Sequence, residues 1–294
     1  MPEGNGSSEH RWMAEDAASV LRVPTRGDHK YSRGVVSLLT GSVTYPGAAV
    51  LSVEGAWRAG IGMVRWLGED AVAPFVVHRR PETVLGSGRA DAAVLGSGMA
   101  AAPDRDESTT RRGLALLASG VPAVIDAGAL DLVPRAKGAV IVTPHDGELP
   151  TVRAACGLGG ARDDVATRLH ASAHERLDVV RETADALGGV VLLKGARTLV
   201  AAPGGWWTHI DTGVPWLATA GTGDVLAGTI GALLAGCVAQ TSSEDVNLES
   251  LATVAATAAW LHGTAGRIAA GAGHPITALD VAEALPAAFA EATR

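Results

Sequence analysis

The stretch "VVSLLTGSVTYPGAAVLSVEGAWRAGIGMVRWL" (residues 35–67) decides the fold class. Residues 35–39 form a short β-branched and aliphatic run that ends in a Thr-Gly-Ser turn, which is typical of a buried strand. Residues 48–59 then carry apolar side chains at helical spacing, and glycines stop that helix at residues 60–62. Residues 63–67 are a second aliphatic run. This order predicts a βαβ unit with two parallel strands.

The same alternation continues along the chain. It predicts further strands at 92–95, 121–125, 139–142 and 190–193, helices at 110–120 and 162–187, and a hairpin formed by 198–202 and 206–210. Strands that alternate with helices indicate a three-layer α/β/α architecture with a mostly parallel central sheet. Because no linker interrupts the pattern, residues 28–294 are predicted to form a single domain. The polar start of the chain predicts a flexible N-terminal segment over residues 1–27.

Composition excludes several classes of function. The net charge of −7 gives no overall basic field for nucleic acid or an anionic membrane. No stretch is apolar for long enough to cross a bilayer, and no signal peptide is predicted. The two cysteines, Cys156 and Cys237, form no CxxC pair, which favours a reducing compartment. We therefore expect a cytoplasmic protein that binds neither nucleic acid nor membrane.

Polar and glycine residues follow the predicted strands. In open α/β sheets, ligands bind beyond the carboxyl ends of parallel strands, so these residues are expected along one edge. They are Gly41-Ser42, Gly96-Ser97-Gly98, Asp126, Thr143-Pro144-His145, Lys194-Gly195 and Gly221-Thr222-Gly223-Asp224. Their shared position predicts a ligand site better than any one of them does.

The last of these motifs opens "ATAGTGDVLAGTIGALLAG" (residues 218–236). A glycine turn that enters a helix presents free backbone N–H groups at the positive end of the helix dipole, which favours a phosphate site. Asp224 then either caps the helix, as aspartate often does, or has chemistry to perform beside the phosphate. Gly228 and Gly231 weaken this helix, which suggests close packing against a neighbour.

Two other motifs have open interpretations. Lys194 could neutralise phosphate or be a solvated lysine, and His145 could contact a ligand or be structural. The sequence contains no HExxH, GxxxxGK[ST] or Ser-His-Asp signature, and it predicts no metal ligands. Mg²⁺ could still enter with nucleotide phosphates, because it needs few protein ligands.

Taken together, the motifs resemble the ADP/ATP-dependent NAD(P)H-hydrate dehydratases of the ribokinase-like superfamily. The resemblance covers about residues 28–280, and GTGD alone marks only the superfamily. The matching segments are "HKYSRGVVSLLTGSVTYPGAAVLSVEGAWRAGIGMV" (29–64), "VLGSGMA" (94–100), "VIDAGAL" (124–130), "VTPHDGEL" (142–149), "VVLLKGARTLVAAPGG" (190–205), "TGVPWLATAGTGDVLAGTIGALLAG" (212–236) and "AAWLHGTAGRIAA" (258–270).

The resemblance implies a ribokinase-like fold and a repair reaction that restores NADH or NADPH from its (6S)-hydrate, with ADP or ATP as co-substrate and Mg²⁺. Asp224 would be the general base, and the backbone of Gly221 and Gly223 would hold the phosphoryl group. The implied substrate contacts are Ala48, Gly98, His145 and Asp224, and the implied nucleotide contacts are Lys194, Gly195, Ala196, Arg197, Thr198, Thr222 and Gly223. Relatives are often tetramers, so a homo-oligomer is expected. Many relatives carry an epimerase domain N-terminally, and the resemblance does not include such a domain. Epimer repair is therefore expected from a separate epimerase.

The sequence departs from the family pattern at three places. Tyr31 replaces a usual glycine, "GSGMA" with Ala100 replaces "GPGLG", and Asp146 replaces the proline of "TPHPGE". These changes could reshape the hydrate pocket. Two alternatives stay open: a small-molecule kinase that shares GTGD, and a dinucleotide-binding relative that has lost turnover.

Overall fold

The computed structural model describes residues 10–241 and 247–294. Nine strands in this part of the chain form one sheet. They are β1 (Val35–Leu39), β2 (Met63–Trp66), β3 (Val84–Leu85), β4 (Ala92–Leu95), β5 (Ala123–Ile125), β6 (Val140–Val142), β7 (Val190–Leu193), β8 (Thr198–Ala201) and β9 (Trp207–Ile210). Their spatial order is β3-β2-β1-β4-β5-β6-β7-β8-β9. Strands β1 to β7 pair in parallel, and β8 and β9 form the predicted antiparallel hairpin.

The helices cover both faces of this sheet. They are α1 (Ala14–Val20), α2 (Pro46–Arg58), α3 (Ala73–Arg79), α4 (Glu107–Ala118), α5 (Leu149–Ala155), α6 (Arg162–Ala171), α7 (Ala173–Leu187), α8 (Thr222–Val238), α9 (Leu248–Ala270) and α10 (Ala278–Ala292). Two short 3₁₀ helices span Ala127–Arg135 and Pro215–Leu217.

Alternating strand residues build two separate cores. In β4, Val94 packs into a cluster with α2, α8, α9 and α10, whereas Leu95 packs into a second cluster with α4, α5 and α7. This alternation is what a strand buried on both faces requires. The predicted three-layer α/β/α architecture with a mostly parallel sheet is confirmed.

Glycines bring α2 and α8 into close contact. A Cβ atom at Gly228 would overlap the backbone carbonyl of Ser52, and one at Gly55 would overlap that of Val225. The prediction that glycine in α8 marks close packing is thus confirmed. The packing fixes the start of α8 above the carboxyl edge of the sheet.

The N-terminal segment differs from its prediction. Trp12 is only 5% exposed, and its backbone N–H donates to the carbonyl of His209 at 2.9 Å. The indole rings of Trp12 and Trp206 meet edge to face. The chain thereby covers the outer edge of β9, where unpaired backbone groups need partners. Residues 10–21 are therefore packed against the sheet edge, and residues 1–9 lie outside the described part.

The long helix predicted at 162–187 is two helices, α6 and α7. Ser172 has an extended backbone, and its hydroxyl accepts a hydrogen bond from the N–H of Glu175 at 3.1 Å. This serine caps α7 and ends the helical path of α6, because its side chain competes with the helix hydrogen bonds. Cys156 and Cys237 are free cysteines. Within the described ranges, no helix combines the length and apolarity needed to cross a membrane.

Candidate functional site

Four parallel strands deliver polar side chains to one edge of the sheet. Ser97 follows β4, Asp126 follows β5, Thr143 follows β6 and Lys194 follows β7. These strands are neighbours in the sheet and run in the same direction, so their carboxyl ends meet. The arrangement confirms that the predicted rim residues lie along one edge.

Asp126 is the centre of a hydrogen-bond network at this edge. Its Oδ1 atom accepts from Thr143 Oγ1 and from Lys194 Nζ, both at 2.8 Å. Its Oδ2 atom accepts from Ser97 Oγ at 2.8 Å. The carboxylate is buried, and these donors, one of them charged, offset the cost of removing it from water.

Lys194 is held as a cation at the rim. Burial alone would lower the pKa of Lys194, but the carboxylates of Asp126 and Glu148 outweigh it, and the pKa is raised. Glu148 Oε2 lies 3.6 Å from Lys194 Nζ and also accepts from the backbone N–H of His145 at 2.9 Å. The rim therefore holds a lysine ammonium group whose charge Asp126 and Glu148 partly neutralise.

Asp224 lies in the first turn of α8, beside the glycine turn. The N-cap of this helix is Gly221, whose φ of +91° is left-handed and suits glycine. Asp224 lies three residues after this position, so it is not the N-cap residue itself. Its carboxylate is available beside the first N–H groups of the helix.

The pKa of Asp224 is raised to about 6. Burial is the main cause and the negative charge of Asp126 the second, whereas the Lys194 ammonium and the Ser97 hydroxyl act in the opposite direction. A carboxylate with a pKa near 6 accepts a proton from a substrate hydroxyl more readily than an ordinary aspartate does. The structure thus places a carboxylate with a raised pKa in the first turn of α8, beside the glycine turn.

A cavity of about 510 Å³ opens beside this turn. Six of the predicted nucleotide contacts line it, together with His145: Lys194, Gly195, Ala196, Thr198, Thr222 and Gly223. Arg197 does not line this cavity, and its charge acts on His209, whose pKa is lowered first by burial and then by Arg197. The structure therefore brings together all of the expected nucleotide loop except the Arg197 side chain.

The opposite wall of the cavity consists of α9 and the loop before α8. A Cβ atom at Gly263 would overlap the Thr212 hydroxyl, and one at Gly266 would lie 2.7 Å from Leu217 Cδ2. These glycines allow the loop to approach α9 closely. His262, from the same helix, also lines the cavity.

Ala48 and Gly98, the other predicted substrate contacts, touch each other. A Cβ atom at Gly98, whose φ is +69°, would overlap the Cβ atom of Ala48. The pair does not line the 510 Å³ cavity. It is joined to the catalytic turn through Ser97, whose hydroxyl interacts with Asp224.

The three departures from the family pattern have different surroundings. Asp146 forms a two-point ion pair with Arg176 of α7, with N–O distances of 2.6 and 2.8 Å. Tyr31 is 40% exposed and stacks under the Lys30 ammonium. Ala100 is half-buried. The Asp146 carboxylate is therefore paired with Arg176 of α7, which limits its effect on the expected hydrate pocket.

A dedicated metal cage is not part of this site. Among the described residues, no group of three or more His, Cys, Asp or Glu side chains is arranged to hold a metal ion. Three donors already occupy the Asp126 carboxylate. A Mg²⁺ ion that arrives with a nucleotide would have to take its ligands mainly from phosphate and water.

Sequence reasoning placed Ser97, Asp126 and Thr143 on the rim but assigned them no role. Their position after strands was the available signal, whereas their mutual contacts depend on the order of strands in the sheet. His262 was part of a family-like segment, and no local pattern indicates that its ring reaches the start of α8.

The chain matches known proteins over most of its length. The family model for NAD(P)H-hydrate dehydratase matches residues 36–287. The chain is 39% identical to the bifunctional NAD(P)H-hydrate repair enzyme Nnr of Mycobacterium tuberculosis strain H37Rv, over 76% of this chain and 45% of that protein. It is 34% identical to the ADP-dependent (S)-NAD(P)H-hydrate dehydratase of Xanthomonas campestris pv. campestris, over 77% of this chain and 82% of that protein.

A solved structure has the same fold. The chain resembles the crystal structure of ADP/ATP-dependent NAD(P)H-hydrate dehydratase from Bacillus subtilis, co-crystallized with ATP/Mg²⁺, with a TM-score of 0.80 and 26% identity over 98% of this chain and 100% of that one. This likeness confirms the expected ribokinase-like fold. The chain spans about half the length of the bifunctional relatives that it matches. By the match of its sequence and its fold, the chain belongs to the NAD(P)H-hydrate dehydratase family.

Proposed function

We propose that this protein restores NADH or NADPH from the (6S)-hydrate in a reaction driven by ADP or ATP. One observation carries the proposal: Asp224, with a pKa of about 6, lies in the first turn of α8 next to the Gly221–Gly223 turn. A base and an anion-binding backbone side by side are what phosphorylation of a hydroxyl group needs.

In the first step, Asp224 takes the proton of the hydroxyl group on ring carbon 6 of the hydrate. The hydroxyl oxygen attacks the terminal phosphorus of the nucleotide, and the bond to the nucleotide's bridging oxygen breaks. ADP leaves when the donor is ATP, and AMP leaves when it is ADP. The N–H groups of Gly221 and Gly223 and the Lys194 ammonium stabilise the charge on the transferring phosphoryl group.

In the second step, the phosphorylated carbon loses inorganic phosphate. Loss of a proton from the neighbouring ring carbon forms the double bond that restores the dihydronicotinamide. Phosphate is a far better leaving group than hydroxide, which is why the nucleotide is consumed. Mg²⁺ bound to the nucleotide would neutralise phosphate charge.

The remaining contacts follow from the same assignment. The 194–198 turn holds the AMP part of the nucleotide, and Thr222 and Gly223 also contact the nucleotide; all of these residues except Arg197 line the cavity described above. Ala48, Gly98 and His145 contact the hydrate. We also propose that residues 28–294 act as one catalytic domain, with the ordered residues 10–21 attached to it, in a homo-oligomer such as a tetramer. Epimer repair would then require an epimerase activity that acts on the same hydrate.

The test is direct. The purified protein is incubated with the NADH hydrate or the NADPH hydrate, with Mg²⁺ and either ADP or ATP, and the absorbance of the dihydronicotinamide is followed. Recovery of absorbance that depends on nucleotide is expected, with one inorganic phosphate released per reduced dinucleotide. Folded protein that gives no recovery with either nucleotide contradicts the proposal.

Two other results would redirect the assignment. A stable phosphate ester that accumulates in the assay would identify a small-molecule kinase. Tight binding of dinucleotide without turnover would identify a silent relative, and an Asp224→Asn variant would then behave like the parent protein.

A further inference from the structure

His262 makes a buried hydrogen bond to the turn at the start of α8. Its Nε2 atom lies 2.9 Å from the backbone carbonyl oxygen of Thr222, the first residue of that helix. A carbonyl oxygen can only accept, so Nε2 carries the proton. Burial lowers the pKa of His262 to about 4, so the ring is neutral near pH 7 and Nδ1 is unprotonated.

The peptide unit that accepts this hydrogen bond also carries the Gly223 N–H, which is one of the groups proposed to bind the anionic ligand. The carbonyl of Thr222 and the N–H of Gly223 belong to the same trans peptide plane and point in opposite directions. A donor that holds the carbonyl toward α9 therefore directs the Gly223 N–H away from α9. Gly223 itself borders the cationic rim, because a Cβ atom there would lie 3.7 Å from Lys194 Nζ.

Two hydrogen bonds hold this peptide unit. Thr222 is the first residue of α8, so its carbonyl takes part in the helix hydrogen bonding, and His262 adds a second donor to the same oxygen. Glycines stand on both sides of Thr222, and glycine rotates about its backbone bonds at little cost. The Thr222 hydroxyl points elsewhere, because it donates to the carbonyls of Leu217 at 2.9 Å and Thr219 at 3.1 Å. The imidazole of His262 is thus a specific restraint on the orientation of the Thr222–Gly223 peptide.

We infer that His262 is a positioning residue for phosphoryl transfer: its Nε2–H group fixes the Thr222–Gly223 peptide so that the Gly223 N–H faces the transferring phosphoryl group. The inference rests on the proposed function. The inference goes beyond the proposed function because it assigns a role to a buried histidine that does not touch the reacting atoms. The same histidine lines the nucleotide cavity, so its substitution also changes the wall beside the phosphates.

Two variants test this role. His262→Leu fills a similar volume with an apolar side chain that has no hydrogen-bond donor. His262→Gln places an amide N–H near the position of Nε2. We expect His262→Leu to lower kcat about 10- to 100-fold, as misplaced oxyanion donors do. KM for ADP should change little, because the 194–198 turn binds the nucleotide in the ground state. His262→Gln should recover most of kcat.

Controls separate positioning from general stability. Melting temperatures and the stoichiometry of ADP binding by calorimetry give the folded, binding-competent fraction of each variant. A ¹⁵N NMR spectrum of the wild-type imidazole, which needs no turnover, should show the Nε2–H tautomer. An Nδ1–H tautomer, unchanged kcat in His262→Leu, or equal losses in the Leu and Gln variants would overturn the inference. An inactive wild type would instead overturn the proposed function.

Discussion

The Nζ atom of Lys194 lies 2.8 Å from Oδ1 of Asp126, and this pair stands next to the carboxylate of Asp224. The two members of the pair act on Asp224 in opposite directions: the charge of Asp126 raises its pKa, and the charge of Lys194 lowers it. Because Asp126 neutralises much of the ammonium charge, the pKa of Asp224 stays raised. Its carboxylate can therefore accept a proton near neutral pH. The pair therefore adjusts the basicity of Asp224 through the charges of its two members.

Asp126→Asn should move the acid limb of the activity profile to lower pH. The substitution removes the second largest cause of the raised pKa of Asp224 and frees the Lys194 charge to lower that pKa further. Both changes have the same sign. The measurement is kcat/KM for the hydrate from pH 5 to pH 8, where the free-enzyme base determines the acid limb.

Thr143→Val is the matched control, because it removes one hydrogen bond to Asp126 and leaves every charge in place. Its acid limb should stay close to that of the wild type. An acid limb that is unmoved in Asp126→Asn, or that moves to higher pH, would refute the electrostatic coupling between the two aspartates.

Asp224→Asn should abolish turnover while ADP and ATP still bind. The amide cannot accept the hydroxyl proton, and general-base catalysis is worth about 10²- to 10⁴-fold in rate. The glycine turn and the 194–198 turn are untouched, so nucleotide affinity by calorimetry should be retained. Activity close to that of the wild type would remove Asp224 from the proposed mechanism.

The same substitution should stabilise the folded protein at neutral pH. The pKa of Asp224 rises from 3.8 in the reference state to about 6 in the folded protein. Between these values the folded state binds more protons than the unfolded state, so the free energy of unfolding falls as pH rises through this window. Asn cannot ionise and escapes this loss, which is worth about 1–3 kcal/mol.

Urea denaturation of Asp224→Asn and wild type at pH 4 and pH 7.5 measures this effect. The stability difference should be small at pH 4 and should favour the variant at pH 7.5. A difference independent of pH would mean that the burial of Asp224 does not raise its pKa. A less stable variant at pH 7.5 would have the same meaning.

The sequence allowed the parallel strands and the glycine turn at the start of α8 to be predicted, because both have local patterns. Val35–Leu39 is a run of aliphatic residues interrupted only by Ser37 and followed by a turn, and Gly221 to Asp224 combines glycines with a helix start. The hydrogen bonds of Asp126 have no such pattern. Their donors come from three other strands, and only the order of strands in the sheet brings them together.

The N-terminal segment shows a second limit of sequence reasoning. Its polar composition predicted flexibility, but a single tryptophan, Trp12, and backbone pairing with His209 attach it to the edge of β9. An edge strand is recognisable only once the sheet is assembled. The contact between His262 and Thr222 is of the same kind, since it depends on how α9 packs beside α8.

Gly228→Ala should destabilise the protein even though alanine favours helices. The new methyl group would overlap the carbonyl of Ser52 and force α2 and α8 apart, at a cost of about 1–3 kcal/mol. Gly47→Ala is the control, because a Cβ atom at that helical position meets nothing within 4 Å. That variant should be neutral or slightly stabilising. Equal unfolding midpoints for the two variants would contradict the close packing of these helices.

Glu54→Gln should be among the more damaging single changes to stability. The carboxylate is fully buried, and it accepts from Arg79 Nε at 2.7 Å and from Arg80 Nη2 at 2.6 Å. Burial raises the pKa of Glu54, but the two arginines outweigh burial and lower it, so the group stays charged. Removing that charge weakens the hydrogen bonds to two partly exposed guanidinium groups, which costs about 1.5–3 kcal/mol.

Glu283→Gln provides the comparison, because Glu283 binds the same Arg79 at 2.7 Å but is 47% exposed. A surface pair of this kind is worth only about 0–1 kcal/mol. Chemical denaturation at pH 7.5 should therefore separate the two variants clearly. The stabilisation by Glu54 should also be lost as pH falls through its lowered pKa, because protonation breaks the same contacts. If both glutamine variants unfold at the same denaturant concentration, the buried arginine pair does not depend on Glu54.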